Sequence, residues 1–197
     1  MHISLIGTVH SENGLANVRS LASILDYLQP AVIYAEIPPE MLPKFLDGSH
    51  GNLESAAIAQ YQKSNPVVVV PVDLETPGDD FFREAEEMFN KIERTSPIYR
   101  RLLDQNFSAT RDHGFLYLNS ECCCQAWTAI YKEIYETIEW IHDDRLEKIY
   151  AQWQKINDFR EKAMLENVTK HAAENAQLRG LLLVGAAHRN SLIEKVK

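Results

Sequence analysis

The chain has 197 residues, 45% of them hydrophobic and 24% charged, with a formal net charge of −8 at pH 7. This is the length and usage of one globular domain with a sizeable core, and it excludes a disordered or fibrous chain. The negative excess repels phosphate backbones and anionic lipid, so nucleic acid and membrane are not expected partners.

The opening segment, Met1 to Gly7, has no basic stretch followed by a leader-length apolar run, and no apolar run nears the roughly 20 residues of a bilayer span. The expected location is cytoplasmic. Residues 3–9 form the first short apolar run and read as a buried strand that ends Gly7-Thr8-Val9-His10. Leu15, Val18, Leu21, Ala22, Leu25 and Leu28 then recur at helical spacing, and Pro30 closes that helix. Residues 31–37 are the second strand, ending Ala35-Glu36-Ile37-Pro38, which completes a βαβ unit. After a Gly48-Ser49-His50-Gly51-Asn52 loop, Leu53 opens a helix that stops near Ser64. Residues 67–74 form the third strand, ending Val72-Asp73-Leu74-Glu75. Both crossovers are expected to be right-handed.

From about 77 to 177 the pattern is helical throughout, an insertion that forms a cap over the strand carboxyl ends. Pro77-Gly78-Asp79-Asp80 and Ser96-Pro97 read as helix starts, since proline is tolerated in a first turn. Trp127, Ile130, Tyr131, Ile134, Tyr135, Ile138 and Ile141 mark an amphipathic helix whose aromatic stripe reads as core. The runs Glu84, Glu86, Glu87 and His142-Asp143-Asp144 read as solvated faces, with a docking face for a protein partner as the alternative. Cys122, Cys123 and Cys124, an odd consecutive set, do not make a disulfide framework. On a helix their sulfurs point about 100° apart and cannot easily share one metal, so they are expected to pack as small hydrophobes in a reducing compartment. A vicinal disulfide or redox role is the other possibility. Residues 181–184, continuing into Gly185-Ala186-Ala187, form the last strand before His188.

The expected fold is therefore one α/β domain over residues 1–197, with a parallel central sheet flanked by helices and a long all-helical insertion before the last strand. In such sheets ligands bind outside the carboxyl ends of the strands. That rule brings His10, Glu36, Asp73 and His188 to one rim. A carboxylate at the end of an apolar run needs a partner, whether a histidine, an arginine or a metal. The glycines in the two Gly-x-x-His segments suggest histidines presented at tight strand-to-loop turns, or a close backbone approach.

These segments resemble the Tiki/TraB, erythromycin esterase and ChaN-like superfamily. The matching pieces are Gly7-Thr8-Val9-His10, Ala35-Glu36-Ile37-Pro38, Gly185-Ala186-Ala187-His188, and a helix running from Arg160 through Met164 to Asn167 and Val168. Arg160, Met164 and Asn167 share one helix face. The resemblance draws Arg160 toward the site, to pair with Glu36 or to hold a substrate carbonyl or carboxylate, and leaves its neighbour Glu161 without an assigned role. It implies a hydrolase of a peptide, ester or related carbonyl substrate, with His10, Glu36, Asp73, Arg160 and His188 as the catalytic set. In the metal form, His10, Glu36 and His188 hold a divalent ion (Mn, Co or Zn) whose bound water attacks, and Asp73 orients a histidine. In the metal-free form, a histidine held by Glu36 or Asp73 is the base and Arg160 steadies the oxyanion. The alternative is a haem- or small-ligand-binding protein without catalysis, with Tyr117, Tyr131 and Tyr135 as available iron ligands. The residues leave metal dependence, substrate and oligomeric state open.

Overall fold

The computed structural model describes residues 3–74, 78–175 and 178–196. The expected turn at Pro77, the strand-end residue Glu75 and the insertion boundary at Gln177 lie outside the described residues. The four apolar runs form one parallel sheet of β1 (Ile3–Thr8), β2 (Val32–Ala35), β3 (Val68–Pro71) and β4 (Gly180–Gly185), in the order β1-β4-β2-β3. The last strand is thus inserted between the first two, with Leu182 opposite both Leu5 and Tyr34. The sheet is shorter than the apolar runs. The ladder stops at Ala35 and Pro71, which leaves Glu36 and Asp73 just beyond it.

Alternation along the strands sorts the side chains between two faces. Ile33, Ala35, Leu181 and Leu183 join Leu21 and Leu25 of α1 (Val18–Leu28) and Ala57 and Ile58 of α3 (Leu53–Gln62). Val32, Tyr34, Leu182 and Val184 join Met164 and Val168 of α7 (Asp144–Glu174) and Leu192 of α8 (Ala186–Val196). Both faces are covered by helices, which is why these strands carry no polar alternation. Each fully buried Ile or Leu contributes about 1.5–3 kcal/mol by leaving water.

The first helix begins three residues later than its apolar stripe. Asn17 caps it by accepting from the Ser20 amide, and Gln29 ends it in a left-handed conformation before Pro30. Leu15 lies in the preceding loop and is exposed, because its backbone N–H donates to the Arg111 carbonyl at 2.9 Å instead of entering a helix. That crossing needs two glycines. A Cβ on Gly14 (φ 57°) would stand 2.3 Å from the Arg111 oxygen, and one on Gly114 (φ 55°) would stand 2.7 Å from the Leu15 carbonyl. Between β2 and α3 lie a 3-10 turn (Pro39–Met41) and the short α2 (Leu42–Leu46).

No strand occurs among the described residues between β3 and β4; the chain runs through α4 (Asp79–Thr95), α5 (Pro97–Leu118), α6 (Glu121–Ile141) and α7. Ser96 caps α5, with Pro97 in its first turn. These helices share a separate core containing Met88, Ile92, Ile130, Ile134 and Ile138, and Trp127 packs against both this core and the sheet core. Tyr135, in the expected aromatic stripe, is instead half exposed. Of the three free cysteines at the start of α6, Cys122 is exposed while Cys123 and Cys124 are buried. Burial pushes the Cys123 thiol up to about 11. No helix among the described residues is long and apolar enough to cross a membrane.

Candidate functional site

Glu36 leaves the end of β2 with its carboxylate only 8% exposed, and such a charge must be compensated. Arg160, from the middle of α7, supplies the cation. Its Nη2 donates to Glu36 Oε1 at 3.0 Å and to Asp73 Oδ2 at 2.6 Å, while Nε donates to Asp73 at 3.1 and 3.2 Å. The two carboxylates share the guanidinium fork, a geometry that an ammonium could not reproduce. Burial works against the charge of Arg160, yet Asp73 and Glu36 outweigh it and hold the guanidinium above its ordinary value. Asn157 accepts from Nη1, and Asn167 donates to the Val72 carbonyl at 2.9 Å. Arg160 at the strand ends, the fully buried Met164 in the core and Asn167 on Val72 thus lie on one face of α7, as their four- and three-residue spacing implies.

The other Glu36 oxygen accepts from the Gly185 backbone N–H at 2.6 Å. A Cβ on Gly185 would lie 3.5 Å from that oxygen, an ordinary contact, so this hydrogen bond does not itself require a glycine. The expected strand through Ala187 and the strand-to-loop turn are corrected: β4 ends at Gly185 and passes straight into α8, so His188 sits in a first helical turn. From there its Nε2 lies 3.4 Å from Glu36 and its Nδ1 is 2.8 Å from Glu161 Oε1. Glu161 is buried and also accepts from Ser191 at 2.5 Å and Lys195 at 2.8 Å. Burial resists its charge, but His188, Lys195 and Ser191 together hold its carboxyl below the ordinary value.

His10 belongs to a neighbouring pair. Its Nδ1 is 3.4 Å from Oε1 of the buried Glu54, to which the Thr8 hydroxyl donates at 2.7 Å. The hydrogen bond that His10 donates to Glu54 lifts its imidazole above the ordinary value, against the effect of burial. Local structure sets this pairing: Asn52 caps α3, and the Leu53 amide donates to the His10 carbonyl at 2.8 Å, so the start of α3 is tied to the loop after β1. Glu54 Oε2 is buried with no hydrogen-bond partner, and a void of about 10 Å³ lined by His10, Glu36 and Glu54 lies between the two clusters.

A cleft of about 390 Å³ opens over this rim. His10, Glu36, Asp73 and Arg160 line it, and Met41, Phe81 and Phe82 give it apolar walls. His188 does not line it; it stands behind Glu36. A larger groove of about 650 Å³ lies elsewhere, but the converging acids, base and cation are here. Glu54 and Glu161 were not separable from ordinary helix residues in the sequence, although Glu54 follows a capping Asn by two positions and Glu161 adjoins Arg160.

His10, Glu36 and His188 do not come together as a metal set, and no group of three or more His, Cys, Asp or Glu side chains among the described residues is arranged to hold a metal ion. Both Glu36 oxygens are already engaged by Arg160, His188 and Gly185, and His10 turns to Glu54. None of the tyrosines considered for haem, Tyr117, Tyr131 and Tyr135, lines the cleft. The Tyr117 hydroxyl donates to Asn106, and burial pushes it up to about 12. Tyr131 packs against Trp127 and Trp153. Comparison with known proteins finds no matching family, no matching curated protein and no matching solved structure.

Proposed function

We propose that the cleft is the active site of a metal-free hydrolase acting on an ester or peptide carbonyl. The observation that carries this reading is a carboxylate-oriented imidazole and a fixed guanidinium lining one cleft. His10 has one ring nitrogen directed at Glu54, which leaves Nε2 as the proton acceptor when the ring is neutral. Water gives a proton to Nε2 while its oxygen attacks the carbonyl carbon, and the carbonyl π electrons move onto oxygen. Four of the five Arg160 N–H bonds are engaged by Asp73, Glu36 and Asn157, so the remaining Nη1–H is available to the developing oxyanion. Collapse of the tetrahedral intermediate expels the alcohol or amine, which takes back the proton from His10. Glu36 and Asp73 together exceed the Arg160 charge, so a neutral or cationic substrate with an apolar substituent suits the cleft and its Phe81 and Phe82 wall.

The resemblance of the Arg160 helix to the erythromycin esterase branch supports the same reading. The test is a panel of p-nitrophenyl esters and peptide p-nitroanilides, assayed with and without chelator. Hydrolysis that survives chelation and drops about 10²–10⁴-fold in His10→Ala is expected. Equal rates in wild type and His10→Ala, or no turnover of any panel member, would sink the proposal and leave ligand binding without catalysis.

A further inference from the structure

The groove of about 650 Å³ runs along the outer edge of β1, where α1, α5 and α8 approach one another. Its walls are Leu15, Ile24, Phe115 and Leu116, of which Leu116 is 86% exposed. Its polar lining includes Arg19, His113 and Arg189 and contains no Asp or Glu. That is unexpected in a chain with a net charge of −8. Neither Arg19 nor Arg189 is in an ion pair among the described residues. Asp112, next to His113, is held by Arg111 at 2.8 Å.

Arg189 is the most informative of the three. Its stem lies over β1, close enough that a Cβ on Gly7 would stand 3.1 Å from its Cδ. Its Nη1 donates to the Cys124 sulfur at 3.2 Å, and its buried Nε has no partner. A sulfur is a weak acceptor for a guanidinium, and a half-buried cation lacking a carboxylate is an unmet electrostatic demand. The nearby edge of β1 is closed at Gly7 by the Asn119 side chain, which accepts from the Gly7 N–H and donates to its carbonyl. The groove therefore offers side chains rather than a free strand edge at that point.

We infer that this groove binds an anionic amphiphile, a carboxylate carrying an alkyl chain, with Arg19 and Arg189 meeting the head group and Leu15, Ile24, Phe115 and Leu116 covering the chain. An apolar trough of several hundred Å³ with a few charged groups is the usual form of a small-ligand site. The arginines select charge, and the leucine and phenylalanine wall selects the chain. This site is separate from the cleft that holds His10.

The experiment is isothermal titration of the full chain with sodium decanoate below its micellar range, beside acetate and decyltrimethylammonium. Saturable binding of one decanoate is expected, retained in His10→Ala, with acetate and the cationic amphiphile at least about tenfold weaker. Arg19→Ala and Leu116→Asp, both at exposed positions, should each weaken decanoate, and Arg189→Gln should weaken it further if circular dichroism shows that it folds. No saturable heat, equal binding of the cationic amphiphile, equal binding of acetate, loss of binding in His10→Ala, or affinity unchanged by both exposed substitutions would each overturn the proposal.

Discussion

Replacing Arg160 by Met leaves Glu36 and Asp73 buried at 8% and 6% side-chain exposure without their shared cation. Removing one partner of a buried ion pair typically costs about 3–5 kcal/mol, because the orphaned charge keeps its desolvation penalty. Some compensation remains, since Glu36 still accepts from Gly185 and Asp73 from the Leu74 amide. The expected loss is about 4 kcal/mol, a large part of the 5–15 kcal/mol that stabilises an ordinary domain. The triple variant Arg160→Met, Glu36→Gln, Asp73→Asn removes the charges together, and should return to within about 2 kcal/mol of wild type. Urea unfolding followed by circular dichroism at pH 7 measures all three proteins, with an unchanged m value showing that the same surface is exposed. If the triple variant is no more stable than the single one, or the single one loses less than about 1 kcal/mol, the guanidinium is not what makes these carboxylates tolerable at the sheet rim.

Because Glu54 holds His10 above the ordinary value of 6.5, hydrolysis by a neutral His10 base should rise with pH through a midpoint above 6.5. Glu54→Gln should move that midpoint down toward 6.5, and a profile that falls with pH would contradict a base role. The carboxyl of Glu161 is held below its ordinary value of 4.5. Its stabilising effect is therefore full above about pH 4.5 and lost as pH falls through the lower folded value, so the stability gap to Glu161→Gln should close in acid. Gly114→Ala places a Cβ 2.7 Å from the Leu15 carbonyl at φ 55°, and should lower stability by about 2–4 kcal/mol in a thermal melt. With Cys122 exposed and Cys123 pushed up to about 11, thiol titration of the native chain should find one fast group and two slow ones.

The four strands were legible because burial on both faces leaves short apolar runs with no polar alternation, and the observed parallel sheet follows. Glu36 and Asp73 lie together at the strand ends, and Arg160, which the resemblance rather than the helix spacing drew toward the site, bridges them. Of the two histidines, His188 lies beside Glu36, one of the carboxylates expected to hold a histidine, and also beside Glu161, whereas His10 turns to Glu54. The histidine pairings depend on which helix packs behind each strand end, and single-sequence spacing does not carry that. Glu54 carries no signal of its own in the sequence, since an acidic residue in a first helical turn is favoured by the helix dipole alone. Its role emerges only once α3 is tied to the loop after β1 by the Leu53 amide. His188 was misread as the end of a strand because Gly185-Ala186-Ala187 is compatible with either structure, and the helix begins there without an intervening loop.

The position of β4 has a consequence for vectorial synthesis. Ile3 pairs with Gly180, and Val32 pairs with the same residue from the other side. As the chain emerges from a ribosome, β1 and β2 must wait, unjoined, until the whole helical stretch has been made. Pairings between residues so far apart close slowly. Until Gly180 to Gly185 arrive, the nascent chain exposes two apolar strand edges, so α4 to α7 must be able to collapse around their own core while the sheet is still open.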